Sequence, residues 1–97
     1  MTKYSIIIAT RFVDELGVIL DFITLSNPNQ AIKFSNEIYA KIATLSSSPH
    51  RARQNKIAND KNVRDMIFKG YVVVFAIDEP LKRVEILGIY KNNIWRK

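Results

Sequence analysis

The last third of the chain reads as three consecutive strands, residues 63–69, 71–78 and 84–90, and two amphipathic helical stretches precede them. Residues 71–77, Tyr-Val-Val-Val-Phe-Ala-Ile, are the most strand-like run present and belong at the centre of a sheet. Val63, Asp65 and Ile67 alternate with Arg64, Met66 and Phe68, the period of a strand with two different faces. Lys69-Gly70 supplies a tight reversal between the first two strands, and residues 78–82 supply the turn into the third. Strands joined this closely form an antiparallel meander, and its apolar face needs a cover.

The two helical stretches provide that cover. From Phe12 onward, Leu16, Ile19, Leu20 and Ile23 fall on one helical stripe, with Asp14, Glu15 and Asp21 off it. Thr10 is the expected N-cap, Asp14 and Glu15 suit the helix's positive end, and Gly17 is expected to mark close packing against a neighbour. Asn27-Pro28 then closes one helix and opens the next, with Asn27 as N-cap, Pro28 at the first helical position and Gln30 at capping-box spacing. Ala31, Phe34, Ile38, Ile42 and Leu45 form the apolar face of this second helix, which frays by Ser46 to Pro49. A first strand, residues 4–9, carries Tyr4 and three consecutive isoleucines and is expected to be largely buried. The resulting fold class is α+β, in the order β-α-α-β-β-β, with a helical hairpin on a mainly antiparallel four-stranded sheet.

A chain of 97 residues is expected to form one domain with one core. Charge divides it unevenly. Residues 1–48 hold four basic and four acidic residues, whereas residues 49–97 hold eleven and five, so the whole net charge of +6 arises in the second half. Such an excess implies an anionic or acidic partner. Residues 50–62 lack a sustained apolar period and carry Arg51, Arg53, Lys56 and Lys61, the pattern of a mobile basic loop in which His50 is solvated. With no cysteine and one histidine, a disulfide framework is excluded and a metal site of the usual kind lacks ligands. No apolar run reaches membrane length, and a cytoplasmic location without a membrane partner is expected. There is no glycine-rich phosphate loop and no nucleophile–histidine pairing, so any catalysis is electrostatic and cofactor-free.

The element order, together with Val63-Arg64-Asp65, Gly70-Tyr71, the apolar run ending in Asp78 and the Ile-Leu-rich final strand closing at Tyr90-Lys91, resembles the RelE/ParE superfamily of type II toxin–antitoxin toxins. That resemblance spans nearly the whole chain. It implies growth inhibition, a role in plasmid stabilisation, and an obligate antitoxin whose C-terminal segment wraps the toxin and covers an apolar groove between helices and sheet. It also implies one of two targets. RelE-like members are mRNA interferases that cut message on the ribosome; ParE-like members poison DNA gyrase.

For the nuclease branch the resemblance assigns catalytic roles to Arg64, Lys69, Tyr90 and Lys91. Arg51, Arg53, Lys56, Trp95 and Arg96 are the candidates for nucleic-acid or target contact, through phosphate neutralisation and base stacking. Two cations usual in that branch are missing: Val72 follows Gly70-Tyr71, and Asn92-Asn93 follows Lys91. Those departures favour the gyrase branch. A basic nucleic-acid-binding module without toxicity is the reading from another class, and toxicity on expression separates the two.

Overall fold

The computed structural model describes residues 3–55, 57–58 and 60–91. Along the chain run β1 (Ser5–Ile8), α1 (Thr10–Ser26), α2 (Pro28–Ala43), β2 (Arg53–Gln54), β3 (Val63–Phe68), β4 (Tyr71–Asp78) and β5 (Arg83–Lys91). Short 3-10 turns at Thr44–Ser46 and Pro49–Arg51 follow α2. The strands form one sheet in the order β1-β5-β4-β3-β2, so β4 lies at its centre, as its unbroken apolar run requires. All neighbours are antiparallel except β1 and β5, which are parallel because the helical hairpin separates β1 from the meander.

Both helices pack on one face of this sheet. Phe12 and Leu16 of α1, and Ala31, Phe34, Ile38 and Ile42 of α2, are buried, followed by Leu45. All but Ala31 meet Met66, Val73, Phe75, Ile77, Val84, Ile86 and Ile89 of the meander in one core. Each such side chain, fully buried, contributes about 1.5–3 kcal/mol. Phe34 fixes α2 over the β3–β4 hairpin, with its ring edge-on to Phe68 and Tyr71 at centroid distances of 5.4 Å. The Asn27 side chain accepts from the Asn29 and Gln30 amides at 3.1 and 3.2 Å, capping α2 as its sequence requires.

Local expectations that failed did so for identifiable reasons. Thr10 is the first residue of α1 and not its cap: Ala9 takes that position without a side-chain bond, because its amide is committed to Ile86 and its carbonyl already accepts from Phe12. With the cap one residue early, neither Asp14 nor Glu15 falls in the first turn. The first strand is alternately exposed and half-buried, because it forms an edge and the helices cover only one face. Nothing lies within 4 Å of a Cβ built on Gly17; close approach occurs at Gly88 instead.

The basic loop is partly ordered by the sheet. Arg53 and Gln54 pair with Asp65 and Arg64, which adds a fifth strand to the expected four. His50 is half-exposed and bonded to Glu79, as is Tyr4. At Lys69-Gly70, φ is positive at both residues (47° and 83°), the backbone of a two-residue hairpin whose twist suits its strands. Between β4 and β5 the register shifts after Val74, which faces Gly88 while Phe75 faces Ile86, leaving Leu87 as an inserted bulge residue.

Candidate functional site on the open face of the sheet

Because successive strand residues point to opposite faces, Asp65 and Tyr90 project away from the helices while Arg64 projects toward them. On this open face, Arg53, Gln54, Asn55, Ile57, Asp65 and Tyr90 line a depression of about 200 Å³. Asp65 is buried, accepting from Asn55 Nδ2 at 2.7 Å, with its other oxygen 3.5 Å from Arg53 Nε. Asn55 is buried too, and its Oδ1 accepts from the Ala58 amide at 2.7 Å. A buried carboxylate requires such partners, and here they fasten the loop to β3 and aim Arg53 along the open face. Both oxygens of Asp65 are engaged, so it positions Arg53 and is not a free base.

Tyr90 is 45% exposed, and it also borders a second depression of about 290 Å³ lined by Arg11, Glu15, Val74, Leu87, Gly88 and Ile89. Its ring thus sits between two hollows with an arginine in the wall of each. Guanidinium groups flanking an exposed phenol suit an anion with a planar group attached. At the opposite end of the open face, Asp60, Asp78 and Glu85 surround a depression of about 370 Å³ together with Arg83. The basic excess of the second half is therefore not spread evenly over this face.

The other candidates lie elsewhere. Arg64 binds three main-chain carbonyls: Nε donates to Lys61 at 2.9 Å, and Nη1 donates to His50 at 3.2 Å and Ala52 at 3.0 Å. Lys69 stands in the β3–β4 turn with its ammonium on Glu37 of α2, which holds the Glu37 carboxyl below its ordinary range. Lys91 faces Tyr71 in the β4–β5 register and is exposed on the helix side, away from Tyr90. Arg51 is exposed in the second 3-10 turn. Lys56, Trp95 and Arg96 lie outside the described residues. Of the nine candidates, the structure brings Arg53 and Tyr90 together at one depression and leaves Arg64, Lys69 and Lys91 apart from them.

A second polar cluster anchors the loop at its start. Glu79 accepts from Tyr4 Oη at 2.8 and 3.1 Å, from Lys82 Nζ at 2.9 Å and from His50 Nε2. The Lys82 ammonium, then His50 and Tyr4, hold the Glu79 carboxyl down to about 2. In return Glu79 raises the Tyr4 phenol and the Lys82 ammonium. Two side chains missed from the sequence, Asn55 and Glu79, emerge here, and Glu15 is a third: its Oε1 lies 2.6 Å from where a Cβ on Gly88 would be. The one legible signal was glycine inside a strand, which marks a bulge or a close approach.

The sequence profile of the ParE toxin of type II toxin–antitoxin systems, parDE, matches residues 6–93. A chain of the chromosomal ParDE toxin–antitoxin system from P. aeruginosa shares the fold with a TM-score of 0.74 and 18% identity, over 92% of this chain and 96% of that one. A chain of the RelBE2 toxin–antitoxin complex from Mycobacterium tuberculosis does so with a TM-score of 0.66 and 16% identity, over 94% and 93%. At these identities the likeness is one of fold. No curated protein matches the sequence.

Proposed function

The chain belongs to the ParE toxin family of type II toxin–antitoxin systems, and from that premise we propose that it arrests growth in the cytoplasm by inhibiting DNA gyrase until an antitoxin neutralises it. The observation that carries the choice of target is the separation of the four residues a nuclease centre would need. Arg64 is occupied by three main-chain carbonyls, Lys69 by Glu37, and Lys91 lies on the other face from Tyr90. Electrostatic catalysis of phosphate cleavage needs cations converging within hydrogen-bond reach of one phosphorus centre. This arrangement instead supports binding of a macromolecular target through Arg53 and Tyr90.

An antitoxin partner is supported by apolar surface that the core leaves out. Val18, Phe22 and Leu25 recur at i, i+4 and i+7 along α1 and are exposed, Leu25 at 85%. On α2, exposed Ile32 lines a groove of about 320 Å³ with Leu20 and Thr24. Large apolar side chains this exposed mark a partner surface. This apolar surface is on the helical hairpin.

The second reading, ribosome-dependent mRNA cleavage, is favoured by one feature, an exposed tyrosine beside an arginine on the open face. Two assays on the purified chain separate the readings: supercoiling by gyrase, and primer extension on a defined message in a reconstituted translation system. Loss of supercoiling with intact message is the expected result. Discrete ribosome-dependent cuts with unaffected gyrase overturn it.

A further inference from the structure

We infer that the free edge of β5 from Gly88 to Lys91 is the docking surface for an extended acidic segment of the antitoxin, and that Glu15 holds this edge closed in the free toxin. The inference rests on the antitoxin reading above. β1 pairs with β5 only as far as Ile8 opposite Ile86, after which the chain turns into α1. Beyond Ile86, no strand among the described residues pairs with this side of β5. An unpaired edge presents backbone donors and acceptors to any passing strand, and folded proteins guard such edges.

Glu15 is the guard. Its Oε1 accepts from the Ile89 amide at 2.9 Å, the place where a carbonyl of an adjoining strand would stand. Its Oε2 is held by Arg11 Nε at 3.0 Å. Gly88 makes this approach possible, because Oε1 lies 2.6 Å from where a Cβ would be. The adjacent depression, lined by Val74, Leu87 and Ile89, is mostly apolar and gives side chains of an added strand somewhere to go.

Charge selects the occupant. When a main-chain carbonyl replaces the Glu15 carboxylate at Ile89, Arg11 loses its partner, and Lys91 flanks the same edge. Two cations beside an open strand favour a segment bearing carboxylates and disfavour a second copy of this basic chain.

The test is amide hydrogen exchange on the full chain, alone and in complex with the cognate antitoxin of this toxin–antitoxin pair. Slowed exchange at Ile89 and Lys91 in the complex is expected. A Glu15→Ala variant should exchange faster at Ile89 when free and bind its partner about two- to fivefold more tightly, since the guard no longer competes. A complex in which these two amides exchange as before overturns the docking site while leaving the antitoxin reading intact. Failure to form any complex overturns both.

Discussion

Glu15 and Gly88 are fitted to one another: the carboxylate of the first occupies the volume that a side chain on the second would take. A Gly88→Ala variant must therefore push Glu15 aside and break its bond to the Ile89 amide. The expected loss is about 1 kcal/mol. Glu15→Ala should lose a similar amount, and the double variant little more than either, because both remove one interaction. Urea denaturation of the four proteins measures this cycle.

Asp65 and Asn55 carry the attachment of the loop to β3. An Asn55→Ala substitution leaves a buried carboxylate oxygen without its 2.7 Å donor and should cost about 1–3 kcal/mol. Arg53 loses its aim at the same time, so target inhibition should fall with stability, as paired melting and growth assays would register.

Tyr90 and Arg64 make opposite predictions. Tyr90 is exposed at the site, so Tyr90→Ala should weaken target action at least about fivefold, the effect of losing an aromatic interface contact of more than about 1 kcal/mol, while the melting temperature stays put. Arg64→Ala removes three bonds to main-chain carbonyls and should destabilise the fold first, by about 1–3 kcal/mol. Thermal melts alongside toxicity titrations separate a binding role from a structural one.

The Glu79 cluster sets a pH window. Glu79 titrates lower in the folded chain than in the unfolded one, so its stabilisation is complete above the ordinary glutamate range and is lost as pH falls toward about 2. Tyr4 and Lys82 are raised, so theirs is complete below the ordinary tyrosine and lysine ranges and is lost as pH climbs through the folded values. Stability against pH should show a plateau between these limits. Glu79→Gln should lower the plateau and flatten its acid limb, which calorimetry across the acid range would reveal.

Sequence by itself determined six of the seven helices and strands and their order. The alternation in residues 63–68, the apolar run through Phe75, the Asn27-Pro28 cap and the stripe from Ala31 to Leu45 are local or periodic signals, and periodicity alone decides which side of an element can be buried. A second stripe on α1, Val18, Phe22 and Leu25, stood out only once the structure left it exposed, because a stripe does not say whether a core or a partner covers it. Only the tertiary structure decided where Arg64, Lys69, Tyr90 and Lys91 stand relative to one another. Neighbours on a strand face opposite ways, so Arg64 and Asp65 serve different surfaces although they adjoin in sequence. The edge position of β1, the fifth strand in the basic loop and the carboxylate over Gly88 all depend on pairings between residues far apart in the chain. Such pairings follow from register and from which edge of the sheet is left open, and no local window contains either.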